Sequence, residues 1–421
     1  MLMPLLLACS TGSDPEPGPP VHLDEDGTSQ VVPSASPNLV VILIDTLRAD
    51  ALAAADTPNI DHLIHQGAMA EHAWSAGTWT VPSIMSLFTG MSVREHGWDE
   101  PSARIGHYPV MFDHPTLAEV LHQEGFETTG FYANPYLAED LGMERGFDTW
   151  RRSGDAQIPQ LFNTLVATQW SESDKPQFTY LHLLGPHSPL KPSESARQKW
   201  QIESTWFDEK RGLSIGAAKR NQQPGVREAY KKAYHAAIED TDERIGEILK
   251  SLDSHLRPTW VLLTSDHGEL LGEHGIVGHG SHLYQGLTEV PFILTPPEGV
   301  TPLALPSVLN NAVLPDVACT VLGLQCSWAN TLSGTSPLVS QREGMLALSP
   351  AGIHKAIWSK EPAQYNLTED PTETRPLPIT ADLLNARERW WAATPAGSPG
   401  VGLIEIEEEN ASRLRALGYQ E

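Results

Sequence analysis

Apolar residues along this chain follow two local patterns that alternate with each other. Four short runs rich in aliphatic and aromatic residues predict buried β-strands: NLVVILI (Asn38–Ile44), ETTGFYA (Glu127–Ala133), QFTYLHLL (Gln177–Leu184) and TWVLLTS (Thr259–Ser265). Three segments between them have the spacing of amphipathic helices: DHLIHQGA, HPTLAEVLHQEGF and REAYKKAYHAAIEDTDERIGEILKSL. This alternation predicts an α/β fold with a large mixed, mostly parallel sheet flanked by helices on both faces.

Two segments depart from the alternation. Residues 190–226 are polar and contain Pro and Gly, so they predict a long surface excursion. After about Ser340 there is one further clear strand candidate, HKAIWS (His354–Ser359), followed by turn-rich sequence and a last helix. This part of the chain predicts a small C-terminal α+β subdomain packed on the main sheet.

Composition narrows the classes of function. Hydrophobic residues make up 40% of the 421 residues, which is enough for a substantial core, and no internal apolar run is long enough to span a bilayer. The net charge of −25 argues against binding nucleic acid phosphates by broad electrostatics. A small anionic ester can still bind where a metal ion and local donors reverse the field.

The first residues, MLMPLLLACSTGSDPEPGPP, contain a short apolar run before Cys9. Residues 1–9 are typical of a bacterial lipoprotein signal with Cys9 lipidated, and the alternative is an ordinary disordered N-terminus. Residues 10–36 are rich in Pro, Gly, Ser and acidic residues and predict a flexible linker. The lipoprotein interpretation predicts an exported protein in the periplasm or on the cell surface, held at the membrane by its lipid anchor. Cys319 and Cys326 either pair or are small buried hydrophobes.

Polar residues of metal-binding type follow three of the predicted strands. Asp45 ends the first strand, and Asp266 and His267 follow the fourth. His187 comes shortly after the third. Ligands of open α/β sheets bind outside the carboxyl ends of strands, so we expect these side chains to converge. Each one alone is more often a turn, a cap or a solvated residue. Together, their carboxylates and imidazoles suit one divalent cation.

The stretch GTWTVPSIMSLFTG (Gly77–Gly90) places a hydroxyl residue, Thr80, just before Pro82 and an apolar helical run. Pro82 suits the first turn of a helix, where unpaired N–H groups and the helix dipole favour negative charge. Thr80 is then either an ordinary N-cap, worth about 1 kcal/mol, or a nucleophile. If a cation held by Asp45 and Asp266 touches the Thr80 oxygen, its alkoxide becomes accessible and can attack an ester.

These motifs resemble, in order, those of the sulfatase family of the alkaline-phosphatase superfamily. The segments that carry the resemblance are PNLVVILIDTLRAD, GTWTVPSIMSLFTGMSVREHG, LHLLGPHSPLKP, LLTSDHGELLGEHG, HLYQGLTEVPFIL and YNLTEDPTE. The resemblance covers most of the chain beyond Pro37. It implies a catalytic domain over residues 37–335 and a C-terminal subdomain over residues 336–421.

The resemblance also implies a metal site and a nucleophile. Asp45, Asp266 and His267 fall on metal-ligand positions of the family. Thr80 falls on the nucleophile position and is expected to bind the same ion, which is Ca, Mn, Mg or Zn.

Three histidines have candidate roles near the substrate. His187 falls where the family places a histidine near the ester's oxygens or leaving group. His279 falls where related phosphonate monoester hydrolases carry a lysine that contacts the anion, and its imidazole can donate a hydrogen bond or protonate the leaving group. His182 is a weaker candidate, because alternation along its strand can turn it into the core.

The chain departs from the family pattern at four positions. Formylglycine sulfatases have Cys or Ser followed by x-Pro-Ser-Arg, but here the segment is TVPSI. Thr80 cannot become formylglycine, and Ile84 removes the arginine that supports the modified group. Thr46 replaces the second of the usual paired aspartates, and a Lys-x-His segment is missing near Asn134, which can act there as a neutral donor. The pattern is closer to branches with an unmodified threonine, such as phosphonate monoester hydrolase-like or phosphoglycerol-transferase-like members.

The first hypothesis for function is a sulfatase-like metal-dependent hydrolase of sulfuric, phosphoric or phosphonic esters, with Thr80 as nucleophile and a small anionic ester as substrate. A second is a phosphotransferase that acts on a cell-surface head group. A third is a catalytically inactive binding protein that retains the fold.

Overall fold

The structure is a computed structural model. It describes residues 22–23, 29–30, 36–99, 107–109, 114–139, 142–208, 212–214, 216, 224–253, 255–326, 328, 336–397, 403–405 and 407–417. Contacts divide the chain into two units, Met1–Ser36 and Pro37–Glu421. The predicted lipidation site, Cys9, lies outside the described residues. Among the helices of the described part, none is both long and apolar enough to cross a membrane.

The described strands are β1 (His22–Leu23), β2 (Ser29–Gln30), β3 (Asn38–Ile44), β4 (Ala68–Met69), β5 (His72–Trp74), β6 (His107–Pro109), β7 (Glu127–Tyr132), β8 (Thr149–Arg152), β9 (Gln177–Leu183), β10 (Thr259–Thr264), β11 (Leu270–Leu271), β12 (Val277–Gly278), β13 (Phe292–Thr295), β14 (Val308–Asn310), β15 (Leu338–Arg342), β16 (Met345–Ser349), β17 (His354–Trp358), β18 (Ala363–Asn366) and β19 (Leu403–Glu405). The described α-helices are α1 (Pro58–Gln66), α2 (Thr80–Thr89), α3 (Val93–His96), α4 (Leu117–Gln123), α5 (Ile158–Leu165), α6 (Glu194–Lys199), α7 (Pro224–Leu252), α8 (Gln285–Thr288), α9 (Leu314–Leu322), α10 (Ala381–Ala393) and α11 (Glu408–Ala416).

Seven of the described strands form one sheet in the order β4-β13-β10-β3-β9-β7-β8. The pairs β10–β3, β3–β9, β9–β7 and β7–β8 are parallel. At one edge β13 runs antiparallel to β10, and β4 runs antiparallel to β13. The prediction of a large mixed, mostly parallel sheet is therefore confirmed.

Every residue of β3 is buried, because both faces of this sheet are covered. Leu39, Val41 and Leu43 point into one core cluster, which includes residues of α2, α4 and α9. Val40 and Ile42 point into the other, which includes residues of α1, α5 and α7. A strand buried on both faces reads as a continuous apolar run, which is the pattern seen in the sequence.

The four strands predicted for the main sheet end within one residue of the observed strands. Residues 190–226 were predicted to form a long surface excursion, and most of the described residues there are exposed or half-buried. This segment contains α6, and its Leu190 pairs with Leu213, both of them buried. The long helix α7 also begins inside the segment, at Pro224.

The C-terminal α+β subdomain is also present, with more strands than the one predicted. β15, β16, β17 and β18 form an antiparallel sheet, and Leu383 and Ala386 of α10 pack against it. Buried Lys355 ties this sheet to the rest of the chain, since its Nζ lies 3.0 Å from Glu373 and 3.1 Å from Gln285 of α8. The boundary at residues 335 and 336 stays a prediction.

Cys319 of α9 and Cys326 form a disulfide bond, which settles the alternative left open by the sequence. Disulfides persist in oxidising compartments, so the bond supports the expectation of an exported protein.

Candidate active site

Two carboxylates meet at the carboxyl ends of neighbouring parallel strands. Asp45 directly follows β3, and Asp266 follows β10 by two residues. Both side chains are fully buried. Between them, Thr46 has a positive φ of 61°, and its backbone N–H donates to Asp266 Oδ1 over 3.2 Å. A threonine in the left-handed region is strained, and such strain tends to occur at functional sites.

Each carboxylate has one oxygen held by donors and one without a partner. Asp45 Oδ2 accepts hydrogen bonds from Asn134 at 2.7 Å and from His182 at 3.2 Å. Asp266 Oδ1 accepts from the backbone N–H groups of Thr46 and His267. Asp45 Oδ1 and Asp266 Oδ2 are buried without a hydrogen-bond partner. Buried oxygens of this kind are costly unless a cation or a donor satisfies them.

The imidazole of His267 likewise has one ring nitrogen with a hydrogen-bond partner and one without. Its Nδ1 donates to the carbonyl of Gly268 over 2.9 Å, so Nε2 carries the lone pair and has no hydrogen-bond partner. Nε2 lies 3.4 Å from Asp266 Oδ2 and 3.9 Å from Asp45 Oδ1. Three unsatisfied acceptor atoms therefore face one another, and this donor set fits one divalent cation.

The pKa values of these groups agree with a site built for a positive ion. Burial, together with the charge of Asp45, raises the pKa of Asp266. Burial alone would raise the pKa of Asp45, but the neighbouring His187 and His182 outweigh it and lower this pKa. Burial also lowers the pKa of His267, which keeps its imidazole neutral and able to act as a ligand.

His182 was a weaker candidate in the sequence analysis, but the structure places it beside the two aspartates. Asp45, His182 and Asp266 offer ligand atoms that all lie within 4.8 Å of one another. Burial, followed by the charges of the two aspartates, raises the pKa of Tyr180, so its hydroxyl keeps its proton and donates to His182 Nδ1 over 3.0 Å. His182 then donates from Nε2 to Asp45, and this chain of bonds orients the carboxylate.

Thr80 is not the N-cap of its helix. The N-cap is Trp79, whose backbone is extended and whose side chain makes no capping bond, and Thr80 is the first helical residue. The Thr80 side chain is fully buried, and Oγ1 accepts a hydrogen bond of 3.3 Å from Asn134 Nδ2. The same nitrogen donates to Asp45 Oδ2. The distance between the Thr80 and Asp45 oxygens is therefore no larger than the sum of these two hydrogen-bond lengths.

His187 and His279 extend the site beyond His267. The ring centroids of His267 and His279 are 4.5 Å apart, and those of His279 and His187 are 5.2 Å apart. Nδ1 of His187 donates to the carbonyl of Ser188 over 2.6 Å. The structure thus brings all of the sequence-predicted site residues into one region of the molecule.

Glu269 was not identified from the sequence. It is fully buried, and its Oε2 accepts a hydrogen bond of 2.8 Å from Nδ1 of His279. The available signal was its position two residues after His267, because carboxylates commonly orient the histidines of a metal site. Tyr180 carried no such signal, since an aromatic residue inside a strand is most often part of the core.

Comparisons with known proteins show which family the sequence resembles. The sulfatase family model matches residues 37–324. An arylsulfatase of Clostridium perfringens is 25% identical over 337 residues, which cover 62% of this chain and 69% of that protein. An ulvan-active sulfatase of Formosa agariphila is 25% identical over 339 residues, which cover 66% of this chain and 63% of that protein.

A solved structure extends the agreement to the fold. The phosphonate monoester hydrolase of Agrobacterium radiobacter superposes with a TM-score of 0.64 at 17% identity. The match covers 85% of this chain and 94% of that one. The fold is therefore alkaline-phosphatase-like, as expected.

Proposed function

This chain belongs to the sulfatase family and is a sulfatase-like ester hydrolase, and from this premise we propose that it cleaves small sulfuric, phosphoric or phosphonic esters with Thr80 as nucleophile. One observation carries the proposal. The amide of Asn134 donates to both Thr80 Oγ1 and Asp45 Oδ2, which places the hydroxyl close to the Asp45 carboxylate.

Asp45, Asp266 and His267 would hold one divalent ion, with the Thr80 oxygen as a further ligand. Their two carboxylates and one neutral imidazole admit Ca, Mn, Mg or Zn. Such an ion would supply Lewis-acid stabilisation of charge on the ester and would ease deprotonation of the hydroxyl.

The chemistry then assigns each step to residues of this chain. Thr80 Oγ1 gives up its proton to water and forms a bond to the sulfur or phosphorus of the ester, while the bond to the leaving oxygen breaks and its electron pair goes to that oxygen. His187 or His279 gives the leaving oxygen its proton. Water then attacks the sulfur or phosphorus of the Thr80 ester, and the bond to Oγ1 breaks with its electron pair on Oγ1. A proton from the attacking water restores the hydroxyl, and the acid product leaves. The N-terminus of α2, which begins at Thr80, favours negative charge on the transferred group throughout.

Threonine favours phosphoryl-type chemistry within this range of esters. A formylglycine hydrate expels sulfate through its second hydroxyl, whereas a threonine ester must be opened by water or another acceptor. Ile84, which stands where formylglycine sulfatases have arginine, is a residue of α2 and is fully buried in the core. We therefore expect phosphonate or phosphate esters to be cleaved faster than sulfate esters.

A side-by-side assay tests the proposed function. Metal-analysed protein is supplied with an aryl sulfate, an aryl phosphate, an aryl phosphodiester and an aryl phosphonate, with and without an alcohol acceptor. We expect hydrolysis of at least one ester that requires metal. Products formed only with the alcohol would make the protein a phosphotransferase instead. No turnover of any ester by the metal-loaded protein would contradict both activities.

Replacement of Asn134 by Ala tests the bridge between the nucleophile and the metal site. We expect kcat to fall about 10- to 100-fold with a small change in KM, as for other groups that orient ligands. Asn310→Ala is the control, because Asn310 also donates a side-chain bond, to the carbonyl of Val339. Steady-state kinetics of both variants measure the effect, and equal losses in the two would show that Asn134 has no special role.

A further inference from the structure

Trp79 stands next to the proposed nucleophile and differs from its neighbours in exposure. Thr78 and Thr80 are fully buried, whereas Trp79 is partly exposed. Its backbone is extended, as expected for the residue that precedes the first turn of α2. An indole at this position is not needed for capping, since the side chain makes no capping bond.

The indole is held by Asp99 and by Arg342, a residue of the C-terminal sheet. Trp79 Nε1 donates to Asp99 Oδ1 over 3.1 Å, and Arg342 Nη1 donates to the same oxygen over 2.5 Å. The Arg342 guanidinium carbon lies 5.4 Å from the indole centroid, within the range of a cation–π contact. Tyr136 packs edge-on against the indole at 5.8 Å between centroids. The N–H of the indole therefore has a hydrogen-bond partner, and the rest of the ring offers carbon atoms for apolar contacts.

Trp79 also lies between the segments that carry the other site residues. Tyr136 follows Asn134 by two residues, and Gly280 directly follows His279. The Gly280 N–H donates to the Thr78 carbonyl over 2.9 Å, and a Cβ built on Gly280 would lie 3.5 Å from the Cβ of Trp79. The Arg342 Nε donates to the Gly280 carbonyl over 2.6 Å, which fixes this approach.

We propose that Trp79 is a specificity-determining residue whose indole packs against a flat or ring-shaped organic group of the ester, an aryl or sugar ring. Arg342 and Asp99 act as positioning residues through Trp79. The inference rests on the proposed function, because it assumes that the anionic end of the ligand reaches Thr80. An aromatic wall beside an anion site favours ring-bearing ligands over equally charged small ones, through dispersion and apolar burial.

Binding of two ligands with the same anionic group tests this without turnover. Phenylphosphonate and methylphosphonate are titrated into metal-loaded protein by calorimetry. We expect the wild type to bind phenylphosphonate about tenfold more tightly. Trp79→Leu should remove this preference by weakening only the phenyl ligand, and Trp79→Phe should keep most of it. Arg342→Leu should reduce the preference in part.

Trp391→Leu is the matched control. Trp391 is an exposed indole of α10 that an arginine also covers, with the Arg94 guanidinium carbon 3.7 Å from the ring centroid. Equal binding of the two ligands by the wild type, or an equal loss for both in Trp79→Leu, would overturn the specificity role. A phenyl preference that depends on Trp79 in a protein that cleaves no ester would instead overturn the proposed hydrolysis and leave this inference standing.

Discussion

Thr80→Ala is expected to lower kcat by at least about 10⁴-fold, to the level of the uncatalysed reaction in the assay, because it removes the atom that forms the bond to sulfur or phosphorus. The variant should still fold and bind metal. The Thr80 hydroxyl makes one described hydrogen bond, from Asn134, and the loss of one such bond costs about 1 kcal/mol. Burst kinetics, metal analysis and thermal unfolding on the same preparation separate loss of chemistry from loss of fold.

The chain offers a control on the same helix. Thr89 is also a buried threonine of α2, and its Oγ1 donates to the Met85 carbonyl over 2.6 Å at the far end of the helix. Thr89→Ala should reduce stability slightly and leave kcat unchanged. Thr80→Ser keeps a hydroxyl and should retain measurable turnover. Full activity in Thr80→Ala would refute the nucleophile role, even if the protein proved to be a metal-dependent hydrolase.

A strand could be predicted from the sequence when its run of apolar residues was long enough to recognise. β3 was predicted to the residue because its seven positions are apolar or buried on both faces of the sheet. β4 and β14 have two and three residues, which is too short for any periodicity to show. In the C-terminal sheet only β17 was predicted, although β15 and β16 have the same five residues and β18 has four, so length does not explain why these three were missed.

His182 shows why alternation misjudged part of the site. The rule placed His182 on the core face of β9, and this is where it lies, paired with Leu43 of β3. At the carboxyl end of a parallel strand, however, the core face is no longer covered by apolar side chains. It opens onto Asp45, to which His182 donates. The last residues of a strand can therefore be both buried and functional. Alternation along the strand does not distinguish a core residue from a site residue there.

At Thr80 the contacts of the site override the usual preference of threonine for the N-cap position. A threonine before Pro82 predicts an N-cap, because its hydroxyl usually accepts a bond from the first turn. Here the helix begins one residue earlier, with Trp79 as cap, and the hydroxyl meets Asn134 instead. Positions where local propensity is overridden in this way tend to be functional. The partner of Thr80 was not predictable, since Asn134 lies 54 positions away in sequence.

Asp266→Asn is expected to abolish both metal binding and turnover, with a loss of kcat of at least about 10³-fold. It replaces one of the two facing carboxylates with a neutral amide of the same shape, so the remaining donors, Asp45 and His267, no longer balance a divalent charge. Elemental analysis after dialysis gives the metal content. Asp382→Asn, at an exposed position of α10, is the control and should keep both properties.

Without metal, Asp266→Asn should be more stable than the wild type at neutral pH. Burial and the charge of Asp45 raise the pKa of Asp266 from 3.8 to about 7 in the folded state. A carboxyl whose folded pKa is raised contributes stability below its unfolded pKa, and loses it as pH rises through the folded value. Chelator-treated wild type should therefore lose stability between about pH 4 and pH 7, whereas Asp266→Asn should lose less across this window.

Metal should reverse this difference. In the wild type, added ion binds the ionised carboxylates and restores stability by about 2.7 kcal/mol at 100 times its Kd, whereas Asp266→Asn should show almost no gain. Thermal unfolding of both proteins at pH 5 and at pH 8, with chelator or with metal, measures these differences. A variant that gains as much stability from metal as the wild type would place the ion elsewhere. The facing atoms of Asp45, Asp266 and His267 would then need another partner.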